Sequence, residues 1–315
     1  MFAVGIDIGG TKIAGAVIDD EGEIVAQLTR PSPAGDAQAM EDTVVDLIHE
    51  LSTGRQIIAA GVAAAGFIDA DQSTVYYAPN IAWRNEPLRD KLEARVALPI
   101  VIENDANAAG WAEYRFGAGR NVTHMTLLTI GTGVGGAIVV DGELFRGGFG
   151  AGAEIGHLQV EREGLLCGCG SRGCIEQYAS GRALLRYAAE VSHDLVIGGH
   201  LAAYRQSDGT IDPAGLRKLL DVRDPGAMVA LRSIGSWIGI ACASLAAVLD
   251  PQLFVIGGGV AAAGDELLIP IRASFLKNVS ARGYHPEPVF AIAELVNDAG
   301  VVGAADLARR HAATL

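Results

Sequence analysis

Basic and aromatic residues are the scarce components of this 315-residue chain. There are 24 Lys and Arg against 37 Asp and Glu, a net charge of −13, and Phe, Trp and Tyr together reach only 6%. A negative field of that size repels polyanions, so neither a nucleic acid nor an anionic membrane is expected as a partner. Any phosphate must be held locally, by backbone N–H groups, one or two cations or a metal. No signal peptide is visible: the first residues lack a basic start, and Asp7 interrupts the opening apolar run. The uncharged stretch 233–249 approaches the length of a membrane span, but it contains serines and glycines and lies between Arg232 and Asp250-Pro251. It reads as a buried helix. Cysteine is limited to four residues, and three of them crowd into 167–174. A disulfide framework would spread them more evenly, so a cytoplasmic protein with one metal site is expected.

Half of the residues are hydrophobic, which excludes disorder, and 41 glycines point to a core of small and branched side chains packed closely. Ala3–Ile8 reads as a strand, Gly9-Gly10-Thr11 as a turn, Ile13–Ile18 as a returning strand and Glu23–Leu28 as a third. Gln38–Leu51 has apolar residues at helical spacing, Ile57–Ala64 and Pro99–Glu103 are further strands, and Ala106–Phe116 is a helix. Leu253–Ile256 reads as a strand, with helices over Gly264–Leu276 and Gly300–Arg310. The alternation gives an α/β class. The polar stretch 192–226, with scattered Gly, Asp and Pro, reads as a variable surface insertion or a helical subregion.

A repeat underlies this order. Leu128-Thr129-Ile130-Gly131-Thr132-Gly133, then Ala137–Val140 and Asp141, restates Ile6-Asp7-Ile8-Gly9-Gly10-Thr11, then Ala16–Ile18 and Asp19, at a constant separation of 122 residues. An internal duplication of a hairpin-led α/β unit is expected, giving two lobes around a cleft with each glycine turn pointing into it. The boundaries drawn from this pattern are 1–108 with 300–315 for a small lobe and 109–299 for a large one.

Three glycine turns carry candidate phosphate chemistry. In Asp7-Ile8-Gly9-Gly10-Thr11-Lys12 the glycines let backbone N–H groups approach an anion, Thr11 offers a hydroxyl, and Asp7 can hold Mg²⁺ through water. The run from Gly131 to Gly136 matches G-x-G-x-x-G, yet the strand-like Ala137–Val140 follows where a dinucleotide fold needs a helix. Gly257-Gly258-Gly259 ends an apolar strand, a flat surface over which a base or ribose could slide. No Walker A sequence occurs. On the acceptor side, Glu103-Asn104-Asp105-Ala106-Asn107 places Asp105 where a strand ends and a helix begins. A carboxylate there can take the proton of a hydroxyl nucleophile, or serve as an ordinary helix cap. Asn104 supplies a donor and an acceptor suited to sugar hydroxyls. Glu154 and Glu176 add carboxylates, and His157 with Cys167, Cys169 and Cys174 makes a full tetrahedral set for a closed, structural zinc site.

With these segments assembled, the chain resembles the ROK family over almost its whole length, most closely its actinobacterial-type ATP-dependent glucokinases. The carriers are Asp7–Lys12, Glu103–Ala109, Gly131–Gly133, Glu154-Ile155-Gly156-His157, Cys167–Cys174 and Gly257–Gly259. The resemblance implies an actin-like, hexokinase-type ATPase fold. It implies ATP and Mg²⁺ at Asp7, Gly9, Gly10, Thr11, Lys12, Gly131, Thr132, Gly133, Gly257, Gly258 and Gly259. It makes Asp105 the base and matches Asn104, Glu154, His157 and Glu176 to sugar contacts, with His157 also a ligand of a structural Zn²⁺. Gly66 and Asn80 join the sugar-side candidates; Gly66 lies in Ala63–Asp69, where many members carry Pro before the glycine. The activity implied is transfer of the γ-phosphoryl group of ATP to the 6-hydroxyl of glucose, in a homodimer or homotetramer. The rivals are a kinase for fructose, mannose or N-acetylmannosamine, a polyphosphate-using glucokinase, and a sugar-responsive repressor. The repressor is disfavoured because a strand begins at residue 3, leaving no room ahead of it for a helix-turn-helix, and because of the −13 charge.

Overall fold

The computed structural model describes residues 1–315. Strand β1 (Phe2–Ile8) turns into β2 (Lys12–Ile18), then β3 (Ile24–Pro31), helix α1 (Ala37–Ser52) and β4 (Ile57–Ala64). Three short strands follow, β5 (Phe67–Ile68), β6 (Val75–Tyr77) and β7 (Arg84–Glu86), then α2 (Leu88–Glu93), β8 (Ile100–Asn104) and α3 (Asp105–Phe116). The second half opens with β9 (Met125–Ile130), β10 (Val134–Val140) and β11 (Glu143–Leu144). Helices α4 (Glu176–Ala179), α5 (Gly181–Val191), α6 (Gly199–Ala202), α7 (Pro213–Asp221) and α8 (Pro225–Leu249) precede β12 (Leu253–Gly257), α9 (Asp265–Asn278), β13 (Val289–Ile292) and α10 (Ala299–Ala312).

The two main sheets repeat one topology. Their strand orders are β3-β2-β1-β4-β8 and β11-β10-β9-β12-β13. In each, a central strand has an antiparallel hairpin neighbour on one side and two parallel strands, reached by crossovers, on the other. β2 and β10 begin and end 122 residues apart, as the sequence repeat requires. The expected duplication is therefore present in the backbone.

The chain divides into two compact units, residues 1–123, 137–153 and 294–315, and residues 124–136 and 154–293. The first boundary falls after residue 123, later than the one expected at 108, because α3 packs on α10 and so stays with the first unit. The segments 137–153 and 294–299 likewise belong to the first unit. Within it, β1 is largely buried on both faces while the edge strand β3 alternates half-buried and exposed residues. One sheet face covers α1 through Met40, Val44, Leu47, Ile48 and Leu51. The other face carries α10 at backbone distance. A Cβ on Gly5 or Gly61 would overlap the carbonyls of Val301 or Ala304, and one on Gly303 would overlap that of Ala108. This is the small-residue core that the composition implies. In the second unit, β12 and β13 stack Phe254 and Phe290 against Phe275 of α9 at centroid distances of 5.1–6.2 Å. The long apolar helix α8 packs against α9 and α5 in that unit, with Ile234, Ile238, Ala241 and Cys242 fully buried. Its apolarity thus answers to packing.

Candidate active site

In the first unit the parallel strands β1, β4 and β8 end side by side. Ile8 is in register with Ala64, and Ala64 with Asn104. Their carboxyl ends therefore bring together Asp7, the Gly66 loop and Asn104-Asp105, the place where open α/β sheets receive ligands. The Gly9–Thr11 turn is closed by the Gly9 N–H donating to the Lys12 carbonyl at 3.0 Å. Above Gly10 the nearest obstacle to a Cβ is the Asn80 Cβ at 3.8 Å, so packing does not demand glycine there. Open space over bare backbone is what a phosphate nest provides.

Asn104 is the N-cap of α3. Its Oδ1 accepts the Asn107 N–H at 3.0 Å, and its Nδ2 donates to the Gly66 carbonyl at 3.0 Å. Asp105 is the first helical residue, and its Oδ1 accepts the Ala106 N–H at 2.9 Å. The helix-cap alternative is therefore true of Asn104, which keeps one amide hydrogen for a substrate, and leaves the Asp105 carboxyl with its second oxygen. Burial raises the Asp105 carboxyl above its usual range. Asp7 rises to about 6, first through burial and then through repulsion from Asp105, partly offset by Lys12. A carboxylate whose ionised form is held at such a cost fits a site for a dication, whose charge would restore it.

Behind this pair lies a residue that motif reading passed over as a role. Glu103 is buried, and it accepts from Arg146 Nε at 2.7 Å, Gln72 Nε2 at 3.1 Å, Asn107 Nδ2 at 3.1 Å and the Asn104 N–H at 3.0 Å. It ties the start of α3 to two loops far away in sequence.

In the second unit, His157 closes a single 3₁₀ turn, Ile155–His157, directly after the exposed Glu154. Its Nδ1 lies 3.7 Å from the Cys167 Sγ, and the Cys169 and Cys174 sulfurs are 3.7 Å apart. All four ligand atoms fall within 4.8 Å of one another. Zinc bonds of about 2.3 Å to sulfur and 2.0–2.1 Å to nitrogen give tetrahedral edges of roughly 3.6–3.8 Å, so the observed spacings suit that ion. Two residues after Cys174 stands Glu176. Its Oε2 accepts the Val134 N–H at 3.3 Å and its Oε1 pairs with Arg182 Nη2 at 3.0 Å. A Cβ on Gly133 would overlap that Oε2, so Glu176 rests on the second glycine turn.

The same unit holds a cavity of about 740 Å³ whose lining includes Gly131, Thr132, Gly181, Leu216, Gly259 and Val260. That volume suits a nucleotide-sized ligand. Gly131 and Gly259 have nothing within 4 Å of a Cβ, whereas Gly258 has φ +82° and no room beside the Ile130 carbonyl. Gly258 is thus required by the fold, and Gly131 and Gly259 are free to face a ligand. Gly257 is buried, with the Ala293 Cβ 3.3 Å from a Cβ placed there, so it belongs to the strand end and not to the lining. Of the two readings of 192–226, the helical subregion holds, with α6, α7 and the start of α8 in that stretch, and Pro213, Leu216 and Leu220 of α7 form part of the cavity wall.

The model of the ROK family matches residues 3–311. The chain belongs to the ROK family. Its fold is accordingly the actin-like, hexokinase-type α/β fold. It is 44% identical over 311 residues to a glucokinase of Streptomyces coelicolor, covering 98% of each chain. It superposes with a TM-score of 0.86 on a ROK family glucokinase from Streptomyces griseus in complex with glucose and AMPPNP, at 44% identity, over 98% of this chain and 100% of that one. A xylose repressor of Bacillus subtilis is 29% identical, over 90% of this chain and 70% of the repressor.

Proposed function

We infer that this protein is an ATP-dependent glucokinase, transferring the γ-phosphoryl group of ATP to the 6-hydroxyl of glucose. The observation that carries the chemistry is Asp105, a half-buried carboxyl at the carboxyl end of β8 beside the sugar-suited Asn104, held above its usual range by desolvation. The identity to glucokinases and the likeness to a structure holding glucose and AMPPNP support glucose and ATP as the substrates.

Asp105 accepts the 6-hydroxyl proton while that oxygen bonds to the γ-phosphorus and the bond to the β-phosphate oxygen breaks, leaving ADP. Burial makes Asp105 a stronger base than an ordinary carboxylate, and it acts only when ionised. Turnover therefore falls as pH drops through its raised pKa. Mg²⁺, when bound, neutralises charge on the phosphates, and Asp7 is the carboxylate we assign to it. The turns Gly9–Lys12 and Gly131–Gly133 hold phosphate oxygens through backbone N–H groups, and Gly259, positioned by the Gly258 turn, borders the nucleoside. Asn104, Glu154, His157 and Glu176 bind the sugar hydroxyls, with Gly66 and Asn80 at the margin. His157 turns Nδ1 to the zinc cluster, which leaves Nε2 for a hydroxyl. His157, Cys167, Cys169 and Cys174 would hold a structural Zn²⁺, which would fix His157 and the loop before Glu176 relative to each other.

We read the protein as a cytoplasmic homo-oligomer, dimer or tetramer; light scattering at the monomer mass of 32.6 kDa would contradict that assembly. The function is tested by a coupled assay with ATP across glucose, fructose, mannose and N-acetylmannosamine. The highest kcat/KM is expected for glucose. A higher value for another hexose would reassign the substrate, and no turnover with any of them would favour a sugar-responsive repressor.

A further inference from the structure

Three arginines line the cavity of the second unit: Arg182, Arg217 and Arg223. Two are neutralised by acidic neighbours that also line it. Arg217 Nε lies 2.9 Å from Asp221 Oδ1, and Arg223 Nη2 lies 2.8 Å from Glu266 Oε1. Arg182 differs in place and in partner. It is the second residue of α5, an eleven-residue helix capped by the Ser180 side chain. The preceding Gly181 N–H donates to the Gly131 carbonyl at 2.8 Å, which fixes the start of α5 against the second glycine turn. Arg182 therefore stands at the glycine-turn end of the cavity. Its side chain is 62% exposed, while that of its partner Glu176 is 17% exposed.

A guanidinium has five N–H donors in a planar fork, and the contact to Glu176 Oε1 occupies one of them. The others remain available on the cavity side. Glu176 is held on its other oxygen by the Val134 N–H, and it has no room to retreat over Gly133. Its carboxylate is therefore shared between the glycine turn and Arg182, two residues from the cluster cysteine Cys174.

We propose that Arg182 is a further functional residue of the kinase, a guanidinium that bridges Glu176 and the phosphate oxygens of the donor nucleotide and so couples donor binding to sugar binding. The proposal rests on the reading above, in which the cavity takes the nucleoside and Glu176 touches the sugar. Donor phosphates draw Arg182 into a fixed position. That orders Glu176 in the geometry that accepts a glucose hydroxyl, and bound glucose reciprocally orders Arg182 for the phosphates. The coupling is the same factor in both directions, as linkage requires.

The test is isothermal titration of glucose with and without saturating AMPPNP, on wild type, Arg182→Gln, Arg182→Lys and Arg217→Gln, with thermal melts of each. In wild type AMPPNP is expected to tighten glucose binding by about 5-fold or more. In Arg182→Gln that factor falls to near one and AMPPNP binds about tenfold more weakly, with the melting temperature unchanged. Arg182→Lys restores part of the AMPPNP affinity and less of the coupling, because an ammonium lacks the planar fork. Arg217→Gln keeps the wild-type factor. A wild-type coupling factor in Arg182→Gln overturns the proposal. So does equal weakening of glucose with and without AMPPNP, which would make Arg182 a support for Glu176 alone. Failure of wild type to bind glucose or AMPPNP at all would instead overturn the functional reading beneath it.

Discussion

Asp7 and Thr129 occupy the same place in the two copies of the repeat, 122 residues apart, one residue before the end of β1 and of β9. Lys12 and Val134 correspond in the same way, at the first position of β2 and of β10. The first copy carries charge at its turn, an acid and a base on either side of two glycines. The second copy carries none, and the N–H of Val134 serves Glu176 instead. Beyond the turns the divergence continues. In the first unit, β8 runs into α3 and delivers Asp105, whereas the corresponding strand β13 ends at Ile292 and the chain leaves the second unit after Ala293. Beyond the shared scaffold, the second unit carries the metal loop and the helices α5, α7, α8 and α9, which contribute residues to the cavity wall. Duplication supplied one scaffold twice, and in the proposed function proton transfer and the dication fall to the first copy, nucleoside and metal-braced sugar contacts to the second.

Substitutions separate the work of the two copies, and the largest effect belongs to the first. Asp105→Ala is expected to lower kcat by 10²–10⁴-fold, the range of general-base catalysis, while glucose and AMPPNP still bind in titrations. Retention of most turnover would remove proton transfer from the first unit. Next comes the metal loop of the second copy. Cys169→Ser should lose the metal by mass spectrometry, melt at a lower temperature and bind glucose about 10–100-fold more weakly, with ATP affected less. Full glucose affinity in a folded, zinc-free variant would show that the cluster does not brace the sugar contacts.

A smaller contrast separates the two turns themselves. Gly133→Ala puts a Cβ into the Glu176 carboxylate, so KM should rise for both ATP and glucose, by about tenfold each. Gly10→Ala meets nothing closer than the Asn80 Cβ at 3.8 Å, so only the ATP KM should rise, by several-fold, without a change in stability. Equal responses at the two turns would mean that they do the same work. The smallest effect is on stability. The folded state binds a proton at Asp7 up to about pH 6, whereas the unfolded chain releases it near 3.8, so folding grows weaker as pH rises between those values and the penalty is complete above the higher one. Asp7→Asn should stabilise the ligand-free protein at pH 7.5 by on the order of 1 kcal/mol, and this gain should vanish in thermal melts near pH 4. That is below the roughly 3 kcal/mol that the displacement to about 6 would allow, because Lys12 loses its partner charge.

The two halves were also unequally legible in the sequence. The hairpins, α1 and the long apolar helix were readable because periodicity and glycine turns are local signals; Gln38–Leu51 was expected and α1 spans Ala37–Ser52. The sheet of β5, β6 and β7 was invisible, since strands of two or three residues carry no period. Glu103 with Arg146, and Glu176 with Arg182, are long-range or cross-element ion pairs that no spacing announces. The sequence left 192–226 open between a surface insertion and a helical subregion for a similar cause. A cavity wall needs only a few apolar residues on a short helix such as α7, and Pro213, Leu216 and Leu220 sit among enough charge to look like surface.

In the proposed function the cavity of the second unit receives the nucleoside of ATP. The most direct measurement is the initial rate of glucose 6-phosphate formation by the purified wild-type protein with ATP and, separately, with inorganic polyphosphate as donor. Rapid turnover with ATP and none with polyphosphate is the predicted result. Turnover with polyphosphate equal to or faster than with ATP would contradict it.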